Sequence, residues 1–211
     1  LQLLLGVAYL ATLYLGGMKT TRLPFFGPVD ISKGWGLVFW PVALIFIYGF
    51  TNAVNLTDGV DGLATSVTSV VAMFFAVISF VIAPKMPLAC LTAAVFLGGC
   101  LGFLMWNHHP AKVFMGDTGS MFLGGMAVGL SFMVDMPVLL FFAGIVYFWE
   151  AISVVIQVTY YKKTKKRLFK MTPIHHHYEM SGWSENKICA VFSLIAFIGC
   201  AIAVALYLLS F

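Results

Sequence analysis

Long apolar runs, interrupted by short polar clusters, set the character of this chain. The runs are continuous rather than alternating, which favours membrane helices over the strands of a membrane barrel. Most approach the roughly 20 residues that cross a hydrocarbon core of about 30 Å. The pattern predicts seven helices, at about 1–16, 37–56, 62–83, 88–107, 119–134, 138–161 and 187–210. The first is only just long enough to span, and 119–134 is short enough to be tilted or partly re-entrant. The fold class is therefore all-α, a polytopic helical bundle forming a single membrane domain over 1–211. Segment 17–36, with Pro24, Pro28 and four glycines, reads as a linker. Segments 83–87 and 134–137 read as tight turns marked by Pro84, Pro87 and Pro137.

Composition agrees. The chain is 61% hydrophobic with a mean hydropathy of +0.98, against roughly 45–50% apolar residues in a soluble domain. Cys90, Cys100, Cys189 and Cys200 fall inside predicted spans without metal-ligand spacing and read as small packing residues. The net charge of +4 is modest and gives no reason to expect a nucleic-acid partner. Its distribution is more informative. Counting crossings places the breaks at 55–62, 107–118 and 162–187 on one face, provided that 119–134 is a true crossing. That face carries Lys112, Lys162, Lys163, Lys165, Lys166, Arg167, Lys170 and Lys187, eight of the twelve Lys and Arg, so it is expected to be cytoplasmic. The cluster at 162–170 is a topology signal and also suits anionic lipid or a phosphorylated substrate.

Only 9% of the residues are charged, so polar clusters beside the spans stand out. The first break reads Asn52-Ala-Val-Asn55-Leu-Thr-Asp58-Gly-Val-Asp61-Gly62. Asp61 is placed to cap the next helix, but capping needs one carboxylate and the segment has two, with Asn55. The second reads Phe114-Met-Gly116-Asp117-Thr-Gly-Ser120. Two helix starts, near 62 and 119, then face one side, and helix N-termini attract phosphate. Carboxylates there would repel phosphate unless a divalent cation lay between them, which points to Mg²⁺ and phosphoryl transfer. The third is His175-His176-His177 with Glu179. Adjacent histidines rarely converge on one metal, so the favoured reading is contact with phosphate or substrate, with acid–base work near neutral pH. Asn107, His108 and His109 end a helix. Glu150 falls mid-span, near the bilayer centre, with Gln157 two turns along the same face.

Three stretches, Asn52–Ala64, Pro110–Ser120 and Met171–Glu179 followed by Gly182-Trp183, together resemble the polyprenyl-phosphate N-acetylhexosamine-1-phosphate transferases. They are most similar to the bacterial phospho-N-acetylmuramoyl-pentapeptide transferase branch, for which the His run is the most specific signal. The resemblance implies a bacterial inner-membrane enzyme of cell-wall peptidoglycan synthesis, with its site on the cytoplasmic face. Its substrates would be UDP-MurNAc-pentapeptide and undecaprenyl phosphate, its cofactor Mg²⁺, and its products lipid I and UMP. By the same resemblance Asp117 is the Mg²⁺-binding and catalytic Asp, joined in catalysis by Asp58, His175, His176 and His177. Asn55, Asp61, Phe114, Gly116, Asn107 and Gln157 are expected to bind substrate, with Phe114 stacked on uracil. The polyprenyl groove would be lined by a bent helix near 138–161. A helix-packed homodimer is compatible with such a chain, although no motif demands it.

One departure bears on this. The family carries an adjacent Asp-Asp pair on an earlier cytoplasmic segment. The acids here are Asp30, Asp58, Asp61, Asp117, Asp135, Glu150, Glu179 and Glu185, no two adjacent. The pair is expected upstream of Leu1 with about three further helices, making about ten in the full protein. The near rival is a GlcNAc-1-phosphate transferase, against which the His run argues. A secondary transporter would place polar groups near the midplane between paired half-repeats. Here they cluster at one face and no repeat is visible.

Overall fold

The computed structural model describes residues 1–82 and 86–210. The turn expected at 83–87, with Pro84 and Lys85, lies largely outside them. Nine helices are described: α1 (Gln2–Leu15), α2 (Phe39–Thr57), α3 (Leu63–Ile82), α4 (Pro87–Asn107), α5 (Gly116–Met133), α6 (Leu140–Ala143), α7 (Ile145–Thr164), α8 (Ile174–Glu179) and α9 (Glu185–Leu208). The chain is an all-α polytopic membrane protein. Four helical segments are long and apolar enough to cross a membrane, and a fifth if the bent pair ending in α7 is one span. The seven predicted helices all have counterparts among these elements, α1 being shorter than a span and α5 falling outside the four.

The centre of the bundle is α3, packed against α4 on one side and α9 on another. Its Leu63, Val67, Val71, Phe75 and Ile78 recur every three or four residues and are all buried, the stripe that a period of 3.6 puts on one face. The flank beside it is also buried and partly polar, with Thr65, Thr68 and Ser79, whereas Met73, Val77 and Phe80 are exposed on the opposite face. Thr68 caps back onto the Ala64 carbonyl and meets the Tyr147 hydroxyl of α7 at 2.7 Å. Lipid supplies no hydrophobic drive between helices, so such contacts and close backbone approach hold the bundle. Gly199 of α9 is one such approach, because a Cβ there would fall on the Phe142 carbonyl oxygen. Gly199→Val should therefore cost about 1–3 kcal/mol by overpacking. An unfolding midpoint in detergent equal to that of the unaltered protein would contradict this.

One region differs from the sequence reading, and another carries the bend that the resemblance implied near 138–161. Segment 17–36 is more than a linker. Strands β1 (Thr20–Leu23) and β2 (Gly27–Asp30) form an antiparallel hairpin, with Thr20 opposite Asp30 and Leu23 opposite Gly27. Phe25 and Gly27 make its turn at φ of 67° and 72°. The Arg22 backbone N–H donates to the Asp135 carbonyl at 3.0 Å and its guanidinium lies 3.6 Å from the Asp135 carboxylate, so the hairpin is pinned to the 134–137 turn. The helix expected at 138–161 is broken at Gly144, and its two parts meet at 75°. The bend is packed tightly, since a Cβ at Gly144 would meet the Phe50 ring and the Leu140 carbonyl.

The crossing on which the common face depends can be followed by contact. At one end of α5, Ser120 meets Asn55 of α2. Near its other end, Phe132 meets Phe39. Helix α5 thus runs antiparallel along the length of α2 and does not turn back. Thr65 bonds Asn107, setting the start of α3 beside the end of α4, and Asp61 bonds the first residue of α9, Glu185. The three polar breaks therefore meet at one end of the bundle, away from the hairpin.

Candidate active site

The end of α2 and the start of α5 bring the first two motifs together. The Asn55 side-chain amide donates to Asp117 Oδ1 at 3.0 Å and to Ser120 Oγ at 2.9 Å. Gly116, at φ 60°, turns the chain so that Asp117 falls in the first turn of α5. Asp58 ends α2 half-buried. Burial raises its carboxyl above the ordinary range, and the Asp117 charge raises it further. Among the described residues, neither carboxylate has a cationic partner in an ion pair. Two mutually repelling carboxylates beside an amide and a hydroxyl make a hard, all-oxygen donor set, which fits Mg²⁺.

This arrangement has a consequence for stability. A carboxyl raised in the folded state holds more protons there than in the unfolded chain. Stability without metal should then fall as pH rises through the carboxylate range. Asp58→Asn removes the repulsion, and we expect its unfolding midpoint in EDTA to rise by about 2–4 °C at neutral pH, with a flatter profile between about pH 4 and 7. An unchanged slope would remove the argument.

Asp61 faces elsewhere. Rather than capping α3, its Oδ2 accepts from the Ala111 N–H at 2.9 Å and lies 3.2 Å from His109 Nδ1. His109 also lies 3.3 Å from Glu185 Oε1, and Glu185 Oε2 accepts the Asp61 N–H at 3.0 Å. These three side chains, with ligand atoms within 4.8 Å of one another, offer a mixed donor set to a cation. Their contacts with each other and with backbone N–H groups make them a clasp between α3, α4 and α9. No motif or spacing in the sequence singles out Glu185, which follows Ser184 in the first turn of α9.

Asn107, expected to face substrate, is buried. Its oxygen accepts from Thr65 at 2.7 Å and its nitrogen donates to the Val113 carbonyl at 3.0 Å, which shapes the 108–113 turn. Gln157 likewise binds backbone. Its oxygen accepts from the Leu168 and Phe169 N–H groups, both at 3.0 Å, and its nitrogen donates to the Phe169 carbonyl. It holds the basic segment after α7 in place. A cavity of about 590 Å³ there is lined by Tyr161, Lys162, Lys165, Arg167 and Thr172.

The His run forms α8, and its His177 ring turns away from the other two. His177 Nδ1 accepts from the Lys170 N–H at 3.1 Å, facing the basic segment. His176 Nδ1 lies 2.8 Å from Glu179. His175 is completely buried, with Nδ1 3.0 Å from Glu150 Oε2. Rings 175 and 176 are in contact, tilted by 52° with centroids 4.1 Å apart, and the Nε2 atoms of both lie against Gly59, next to Asp58. Glu150, expected alone near the bilayer centre, is thus the buried partner of the His run. The break at Gly144 places it near the start of α7 rather than in the middle of a long span.

Phe114 is 73% exposed and stands at the rim of an apolar cavity of about 810 Å³ between α4 and α5, lined also by Phe96, Phe103, Met115, Phe122 and Met126. The exposed ring lies three residues from Asp117, a flat apolar platform beside a polar centre. The site thus joins an oxygen-rich carboxylate pair, two converging imidazoles, an aromatic platform and a nearby basic cavity.

The sequence also matches known proteins. Residues 1–135 match the model of glycosyl transferase family 4. The phospho-N-acetylmuramoyl-pentapeptide-transferase of Carboxydothermus hydrogenoformans is 52% identical over 164 residues, 77% of this chain and 50% of that protein. The protein of the same name from Clostridium perfringens strain SM101 is 46% identical over 194 residues, 91% of this chain and 57% of its own. That of Caldicellulosiruptor bescii is 42% identical over 206 residues, 98% of this chain and 63% of its own. The chain spans between half and two thirds of the length of these curated relatives.

Proposed function

The chain belongs to glycosyl transferase family 4, and from that membership we propose that it transfers phospho-MurNAc-pentapeptide from UDP-MurNAc-pentapeptide to undecaprenyl phosphate. Lipid I forms and UMP leaves. The observation that carries this reading is the meeting of Asn55, Asp58 and Asp117 with His175 and His176 at one end of a membrane bundle. A soluble nucleotide donor and a lipid acceptor can both reach such a place. We assign it to the cytoplasmic face, where most of the Lys and Arg lie.

Each group then has a part. Asp117, held by Asn55, is the residue that would bind Mg²⁺. When bound, the ion neutralises the pyrophosphate and the leaving UMP. Phe114 offers its exposed face to uracil. Asp58 and the two imidazoles border the place where the sugar-phosphate end must lie. A lipid phosphate oxygen attacks the β-phosphorus, a P–O bond forms, and the bond to the UMP oxygen breaks. Lys162, Lys165 and Arg167 draw anionic substrate toward the interface.

The test uses the full-length protein in detergent with undecaprenyl phosphate. It is given labelled UDP-MurNAc-pentapeptide or UDP-GlcNAc, with Mg²⁺ or EDTA. The expected result is Mg²⁺-dependent label in the lipid phase from the MurNAc-pentapeptide donor alone. Transfer from UDP-GlcNAc would move the protein to the sister activity. No transfer from either donor by folded protein would remove the enzyme assignment.

A further inference from the structure

Glu150 lies near the start of α7 and is wholly buried. A carboxylate in that position is costly unless it is bonded. Both of its bonds are made by one oxygen to one residue of α8: Oε2 accepts from the His175 backbone N–H at 3.4 Å and lies 3.0 Å from His175 Nδ1, while Oε1 has no partner among the described residues. Helix α8 begins after Pro173, without a capping side chain of its own. Glu150 therefore does from another helix what a local Ser or Asp does at most helix starts.

The bond also fixes the ring. Oε2 already accepts the His175 backbone N–H, so it is the acceptor toward the ring as well, which puts the hydrogen on Nδ1 and leaves Nε2 its lone pair. That Nε2 is buried without a hydrogen-bond partner among the described residues and lies against Gly59, beside Asp58. Buried ring nitrogens are ordinarily satisfied. This one faces the turn that borders the substrate site. A nitrogen lone pair meets an N–H or O–H and repels a phosphate oxygen, so its natural partner is the sugar and not the pyrophosphate.

Resting on the transfer reading above, we propose that Glu150 is a positioning residue, which holds His175 so that Nε2 accepts a hydrogen bond from an amide or hydroxyl of the donor sugar. It touches no substrate and acts through His175.

Two measurements on the full-length protein test this. The first needs no turnover. In histidine ¹⁵N-labelled protein, with His175→Gln used to assign the signal, His175 should show protonated Nδ1 and unprotonated Nε2. The opposite tautomer would overturn the proposal. The second compares binding of UMP and of UDP-MurNAc-pentapeptide. Glu150→Gln, which keeps the side-chain volume, should weaken the sugar nucleotide about tenfold, the worth of one hydrogen bond, and leave UMP unchanged. Adding His175→Gln to it should weaken binding no further than His175→Gln does alone. Equal losses for both ligands, or additive losses in the double variant, would mean that Glu150 only supports the fold. If the unaltered protein binds neither nucleotide, the transfer reading fails, and the nitrogen spectrum alone then decides the part of Glu150.

Discussion

Asp117→Asn reduces transfer on the order of 10³-fold, the scale on which removing a centre of charge stabilisation slows an enzyme, while the protein remains folded. The change keeps the side-chain shape and a group that can meet the Asn55 amide, so the join between α2 and α5 should survive. It removes the negative charge that a divalent cation requires. Two measurements belong together. Product formation should collapse, and the rise in unfolding midpoint on adding Mg²⁺ to the unaltered protein should shrink in the variant. Full activity in Asp117→Asn would remove Asp117 from the centre. A collapse of both activity and metal-free stability would make its role structural.

Gly59→Ala is expected to be nearly as damaging, for a steric reason. A methyl group at residue 59 would fall on His175 Nε2 and lie 3.2 Å from His176 Nε2. The His175 ring cannot easily move aside, because Glu150 holds its other nitrogen and the tilted His176 ring lies against it. Helix α8 must shift, or the turn carrying Asp58 must. Overpacking of this kind costs about 1–3 kcal/mol, and small misplacements of reacting groups cost roughly 10²-fold in rate. We therefore expect transfer to fall about 10²-fold with a modest loss of thermal stability. Unimpaired turnover in Gly59→Ala would show that the two imidazoles need not rest on this turn.

The spans were legible because membrane helices are written as continuous apolar runs. The shared location of the three polar breaks was legible too, because counting crossings needs only the number of spans. What was missed depends on contacts between distant segments. Glu150 read as mid-span because Gly144 is unremarkable within an apolar run, and the 75° break there rests on Phe50 packing where a Cβ would be. The break moves Glu150 to the start of a helix and beneath His175. Helix α8 has six residues, too few for periodicity to show. Asn107 and Gln157 were expected to bind substrate, but their amides bind backbone carbonyls and N–H groups that no spacing rule reveals. The clasp of Asp61, His109 and Glu185 joins residues too far apart in sequence for any local pattern.

Helix α5 carries one more consequence. It falls outside the set of segments apolar enough to cross a membrane by length and composition alone. Yet it lies along the whole of α2, approaching so closely at Gly124 that a Cβ would meet the Thr51 backbone at 2.9 Å. A segment with little affinity for lipid has to enter the bilayer beside a partner that is already there. During biogenesis α2 is that partner, and it is made first. The aspartate proposed to hold Mg²⁺ is thus carried by the helix whose residence in the membrane is acquired through assembly.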